Sequence, residues 1–204
     1  MIKYTQNNEE EIILNYFKDE KDLSVLDIGA NDGKTFSNSL RLIENGWKAV
    51  LVEPSPRAFK RLSELHALSD NVHCVNVAIA NSNGMLTLKE SSSLINENDI
   101  ALVSSLKPEE TTKWTMCNFK DVNVVALDFQ TFYSNLPIKK FDFISIDVEG
   151  FDYDVLKQID LNLVGCRCLC VEFNGKNKDL FVNYVSKFGM NLISQNYENL
   201  IFAK

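Results

Sequence analysis

Nowhere in its 204 residues does the chain hold the ~18 consecutive apolar residues that a membrane-spanning helix needs. Its polar and acidic start, residues 7–11, lacks the basic-then-apolar pattern of a secretory leader. Paired Cys-x-x-Cys motifs are missing as well. Both histidines, His66 and His73, stand far from Cys166, Cys168 and Cys170, so no zinc site is expected. Positive charge is in short supply: 21 Lys and Arg face 28 Asp and Glu, a formal net charge of −7. An acidic surface repels phosphate backbones, which argues against nucleic acid as a partner. The five cysteines are odd in number, and three alternate at 166, 168 and 170. That spacing predicts three buried thiols on one face of a strand rather than a disulfide set, and suits a reducing cytoplasm. Length and a 45% hydrophobic content fit one domain, 1–204, with one core.

The chemistry-bearing residues stand at the ends of short apolar runs. Val25, Leu26 and Ile28 read as a buried parallel strand, with Asp27 within it and Gly29 and Gly33 after it. Glycines there let a backbone approach a ligand closely. From Lys34 the pattern turns helical, so the unit is strand, glycine loop, helix, the ligand-binding unit of an open α/β sheet. The spacing narrows the ligand. Asn31 occupies the position where a dinucleotide fingerprint needs its middle glycine. Gly33-Lys34-Thr35 ends like a Walker loop, but Gly29 precedes Gly33 by four residues and that loop requires five. Asp27 places negative charge where a pyrophosphate would sit, and would attract an ammonium group instead. A ligand with an amino group, a ribose and a sulfonium but no phosphate fits: S-adenosylmethionine. The second apolar run, 48–53, ends in Glu53, which can accept hydrogen bonds from both ribose hydroxyls or stand as a solvated strand end. Pro54 stops that strand, and Ser55 is placed to N-cap a helix over 55–68.

The remaining pattern alternates. A short amphipathic helix over 9–17 belongs to an N-terminal segment, 1–21, and a helix over 34–45 follows the first strand. A third strand is expected over 71–78, then a turn at 81–84 and a short strand at 85–89. Residues 90–120 are the least periodic stretch, read either as an acceptor-side lid or as a surface insertion anchored by Trp114, Met116 and Phe119. A strand resumes at 122–127, and Asp128 is placed to cap a short helix. The fourth parallel strand spans 141–147, with a helix at 151–159. The fifth spans 166–173, with a helix at 177–188. Runs at 190–195 and 200–203 close the chain as an antiparallel hairpin. The fold class is α/β: a mostly parallel seven-stranded sheet of class I methyltransferase type with a C-terminal antiparallel hairpin and helices on both faces.

At Asp147-Val148-Glu149-Gly150-Phe151-Asp152-Tyr153-Asp154-Val155-Leu156 the sequence resembles the FkbM family of S-adenosylmethionine-dependent methyltransferases. The Leu26 to Asn31 loop, Val52-Glu53-Pro54, and Ala78 followed by Gly84 also look like family motifs, and the resemblance covers roughly 22–175. It implies O-methylation, often of sugar hydroxyls in glycans and natural products, and hence a small-molecule or glycan acceptor. The cofactor residues are then Asp27, Gly29, Asn31, Gly33, Glu53, Pro54 and Ala78, and the acids left for the acceptor are Asp147, Glu149 and Glu172. A neutral hydroxyl must lose its proton on methylation. Either Asp147 or Glu149 is a direct base, or Asp147, Glu172 and Asn174 hold a divalent cation such as magnesium. Glu149 has a third role open to it, capping the helix that follows. A nucleic-acid or other small-molecule methyltransferase and a non-catalytic cofactor-binding module stand as alternatives.

Overall fold

The computed structural model describes residues 3–95 and 100–204. In chain order the elements are α1 (Glu9–Tyr16), β1 (Ser24–Ile28), α2 (Leu40–Glu44), β2 (Lys48–Val52), α3 (Pro56–Leu65), β3 (Val72–Val75), β4 (Ala78–Ile79) and β5 (Gly84–Ser91). Then come β6 (Phe119–Leu127), α4 (Phe129–Ser134), β7 (Phe143–Ile146), α5 (Asp152–Leu156), β8 (Cys168–Glu172), α6 (Lys178–Val185), β9 (Asn191–Gln195) and β10 (Asn199–Ala203). Seven strands form one sheet in the order β3-β2-β1-β7-β8-β10-β9, parallel except where β10 pairs antiparallel with β8 and β9. This is the expected sheet, with its C-terminal hairpin.

The central strands are buried on both faces, which explains why they read as near-continuous apolar runs. Alternation divides the core. Leu26, Ile28, Val50, Ile144, Leu169 and Val171 pack on one side, and Val25, Leu51, Phe143, Cys168 and Cys170 on the other. Asp27 pairs in register with Ser145, and Ser145 with Cys170, so these three share the second side. Ser55 and Asp128 cap their helices as expected, accepting from Ala58 N at 3.2 Å and Thr131 N at 2.7 Å.

Four local expectations change. The helix after the glycine loop starts at Leu40, because Asp32 accepts from the backbone of Lys34 and Thr35 and Ser37 from that of Ser39 and Leu40. Such side-chain bonds compete with helical ones. The third strand breaks at Asn76, whose amide donates to the Glu53 and Pro54 carbonyls. Ala78–Ile79 then leaves the main sheet to join a second one, β4-β6-β5. Cys166 does not share a face with Cys168 and Cys170. It lies ahead of β8, where strand alternation has not begun, and packs in the opposite core layer. The irregular stretch shortens to 92–118, because β5 and β6 pair from Gly84↔Ala126 to Ser91↔Phe119. It carries one 3-10 helix, Pro108–Lys113, while its part at 96–99 lies outside the described residues. Among the described residues no helix is long and apolar enough to cross a membrane.

Candidate active site

A cavity of about 420 Å³ opens at the C-terminal ends of β1, β2, β7 and β8. Parallel sheets bind ligands at that edge, where the strand order reverses. Of the residues singled out in the sequence, Asp27, Gly29, Asn31, Glu53, Pro54, Ala78, Asp147, Glu149, Glu172 and Asn174 all line it. Gly33 does not. A Cβ added there would meet the Leu62 and Leu65 side chains, so this glycine serves packing against α3.

The half built on β1 and β2 is rigidly held. Gly29 has φ +94°, and a Cβ at that position would lie 1.7 Å from the Asp147 carbonyl oxygen. The close meeting of β1 and β7, rather than ligand approach, is what demands glycine here. Asn31 also adopts a left-handed backbone, φ +48°. Its N–H donates to Glu53 Oε2 at 2.9 Å, while the Ser55 N–H donates to Oε1 at 2.7 Å. Two amides thus fix the carboxylate from behind, and its other lone pairs remain for a ligand. Burial raises the Glu53 carboxyl to about 7 against the pull of these amides. Asp27 accepts the Ser39 hydroxyl at 2.6 Å and is likewise raised by burial, to about 6. Beyond them the wall is apolar: Val77, Ile79, Leu88, Ala101 and Val103. The 92–118 segment supplies part of that wall, with Leu94, Ile95, Leu106 and Trp114 also on the cavity.

The half built on β7 and β8 concentrates acid. Burial, and then the charge of Asp152, raises Asp147 to about 8. Glu149 and Glu172 are held well above the usual carboxylate range, first by burial and then by Asp147. Asp152 was not singled out in the sequence beyond its place in a first helical turn. It is buried, and turns back to accept from Val148 N at 2.8 Å and Gly150 N at 2.9 Å. Those bonds clamp the 148–150 turn, in which Glu149 has φ +52°. A non-glycine residue in that region is strained, and the surroundings must hold it. The Ser105 hydroxyl adds to this, donating to the Glu149 carbonyl at 2.7 Å. Glu149 does not cap α5, whose N-cap position is Phe151 with no side-chain cap.

A second cavity, about 280 Å³, lies beside the first and shares Glu172 and Asn174 with it. Asp152, Lys107, Lys113 and Lys176 line this one. Lys107 pairs with Asp154 at 2.8 Å and donates to the Gly150 carbonyl at 2.8 Å, and Lys113 pairs with Glu110. The N-terminal segment closes the main cavity at Gln6, next to Tyr197 and Glu198 of the β9–β10 turn. Buried Glu9 ties the two together, accepting from Asn196 at 2.6 Å and Asn199 at 3.0 Å. Nothing in the sequence pattern signals that contact.

The model of one family, described as the methyltransferase FkbM domain, matches residues 27–195. The chain belongs to the FkbM methyltransferase family. No curated protein matched it by sequence. Among solved structures the FkbM domain is similar to the METTL16 MTase domain in its crystal form 2, with TM-score 0.54 and 12% identity, over 96% of this chain and 65% of that one. It therefore spans just under two thirds of that relative. It is also similar to the precorrin-6y C5,15-methyltransferase from Geobacter metallireducens GS-15, with TM-score 0.53 and 13% identity, over 100% and 92% of the two chains. A third is the N-terminal domain of human METTL16 in complex with SAH, with TM-score 0.51 and 14% identity, over 95% and 66%. The FkbM domain thus has the class I Rossmann-like methyltransferase fold, and its family is one of methyltransferases.

Proposed function

We propose that this FkbM domain is an S-adenosylmethionine-dependent O-methyltransferase acting on a hydroxyl of a sugar, a glycan or a glycosylated small molecule. The observation that carries the reading is the division of one cavity into two acid sets. Glu53, aimed by two backbone amides, and Asp27 stand at the β1–β2 side; Asp147, Glu149 and Glu172 stand at the β7–β8 side. Glu53 accepts the ribose hydroxyls, Asp27 favours the ammonium end, and Pro54, Ala78 and the apolar wall take the adenine. This set suits a cationic cofactor without phosphates, and the sulfonium favours the ionised form of carboxyls that burial has raised.

The acceptor hydroxyl lies against the second set. Its oxygen lone pair forms a bond to the methyl carbon as the carbon–sulfur bond breaks. The electron pair goes to sulfur, which leaves as a neutral thioether. The hydroxyl proton passes to the Glu149 carboxylate, which returns it to water. Holding oxygen and methyl carbon in line supplies much of the acceleration, and the clamped 148–150 turn is what fixes the base. Asp147 and Glu172 position the acceptor. Carboxylates accept hydrogen bonds and donate none when ionised, which matches the many hydroxyl donors of a sugar. Trp114 and Phe151 offer apolar faces to the ring. The net charge of −7 argues against a polyanionic acceptor. The reading extends to one unit over 1–204 with the 92–118 segment on the acceptor side.

Thermal denaturation with S-adenosylhomocysteine tests the cofactor half. Saturation at a hundred times Kd stabilises by about 2.7 kcal/mol, an expected rise of roughly 5–10 °C for a chain of this size. An unmoved melting temperature overturns the cofactor assignment and favours a non-catalytic module. Transfer of label from methyl-labelled S-adenosylmethionine to a panel of mono- and oligosaccharides tests the acceptor half. Labelling of RNA or protein instead overturns the sugar assignment.

A further inference from the structure

The wall between the two cavities holds three acids arranged around one point. Asp147, Asp152 and Glu172 each bring a carboxylate oxygen to within 4.8 Å of the other two. Around a hard divalent ion at 2.0–2.6 Å, neighbouring ligand oxygens lie about 3 Å apart and opposite ones about 4–5 Å. The trio fits those limits. Glu172 is only 7% exposed, and its Oε2 has no hydrogen-bond partner among the described residues. A buried carboxyl oxygen left without a partner is costly, and such atoms call for an explanation. None of the three acids forms an ion pair among the described residues; Lys107 pairs with Asp154 and Lys113 with Glu110, and Lys176 lines the second cavity with them.

We propose that Asp147, Asp152 and Glu172 form a binding site for a divalent cation of the magnesium or manganese class. The donors are all oxygen, which selects a hard ion over zinc or copper. Asp152 is already oriented by the Val148 and Gly150 amides, the outer hydrogen bonding that fixes a metal ligand in place. Its further lone pairs remain for the ion. Asp152 and Glu172 face the second cavity, while Asp147 and Glu172 face the first. The trio therefore stands in the wall the two cavities share, apart from Asp27 and Glu53 on the cofactor side. The ion site's existence stands apart from the methyl-transfer reading. Its use rests on that reading: an ion here would hold the acceptor's oxygens beside Glu149, which the trio leaves free as the base.

Manganese titration followed by electron paramagnetic resonance reads the site directly, since bound Mn²⁺ loses the free-ion signal. One Mn²⁺ per chain is expected, displaced by excess Mg²⁺ and retained with saturating S-adenosylhomocysteine. Glu172→Gln and Asp147→Asn should each weaken it by at least about tenfold. Glu64→Gln, an exposed acid on α3, should not. Circular dichroism confirms that each variant is folded. Mn²⁺ left free by the wild-type protein at millimolar concentration overturns the proposal, as does unchanged binding in both ligand variants. Competition with S-adenosylhomocysteine overturns its placement in the shared wall. If S-adenosylhomocysteine binds and Mn²⁺ does not, the ion site falls and the methyltransferase reading remains.

Discussion

Replacing Gly29 with alanine tests the seam between β1 and β7. The added Cβ would lie 1.7 Å from the Asp147 carbonyl oxygen and 2.7 Å from its carbon, both backbone atoms that no rotamer change can move. Reaching ordinary contact requires the two strand ends to separate by more than about 1.5 Å. That movement breaks the Asp147 N–H bond to the Ile28 carbonyl, now 2.9 Å. It also strains the bonds from Gly29 and Ala30 to the Val52 carbonyl, at 2.9 and 3.0 Å. Backbone bonds are worth about 1 kcal/mol each. Alanine in a left-handed conformation costs a further ~1–2 kcal/mol. The sum, about 3–5 kcal/mol, is a large share of the ~5–15 kcal/mol that holds a domain folded. At about 2–4 °C per kcal/mol, the melting temperature should fall by roughly 6–20 °C. Gly33→Ala is the matched control. Its φ is +76°, but its Cβ meets the end of the Leu62 side chain at 2.6 Å, which can rotate away. That variant should lose about 1–3 kcal/mol and keep its affinity for S-adenosylhomocysteine. Circular dichroism melts of both variants, with and without that ligand, decide the matter. A Gly29→Ala melt within about 2 °C of wild type refutes the reasoning, as does a Gly33→Ala variant that is the more damaged of the two.

Three further outcomes are expected. Asp27, Glu53, Asp147 and Asp152 bind protons more tightly folded than unfolded, with values raised to about 6, 7, 8 and 6. The native state therefore holds extra protons between about pH 4 and 8, and ligand-free stability should fall as pH rises through that window; Asp27 alone accounts for about 3 kcal/mol. Melts from pH 5 to 8.5 that hold steady or climb contradict this. Glu53→Gln turns an amide donor toward the Asn31 or Ser55 N–H, and calorimetry should show S-adenosylhomocysteine binding weakened by about 10- to 100-fold; unchanged affinity removes Glu53 from the cofactor site. Glu149→Gln should lower kcat by about 10²–10⁴ while leaving that affinity near wild type, and a kcat within twofold would assign the base elsewhere.

Strands were legible from the sequence because burial on both faces writes them as short apolar runs, and the acids at their ends marked the sheet edge that binds ligands. Asp27, Glu53, Asp147, Glu149 and Glu172 were found in that way, and all five line one cavity. Departures arose where side chains bond locally to backbone. Asp32 and Ser37 consume the amides that would have opened α2, and Asn76 ends β3 by reaching the turn after β2. Periodicity carries no trace of either. Asp152 is the clearest omission. In sequence it is an ordinary first-turn acid, and its clamp on the 148–150 turn exists only once that turn has folded back. Gly33 shows the reverse case, a motif glycine whose neighbour is α3 rather than the ligand space.

The β5–β6 ladder has a consequence for how acceptor choice can change. Because Ser91 stands opposite Phe119, the segment 92–118 departs and returns at adjacent points on a sheet that lies outside the main one. Lengthening or exchanging such a segment adds little closure entropy and leaves every central strand in register. Exchange would, however, also replace Ala101 and Val103 of the apolar wall and the Ile100 carbonyl that accepts from the Asn31 amide, so chimaeras between FkbM domains should shift cofactor affinity together with any change of acceptor.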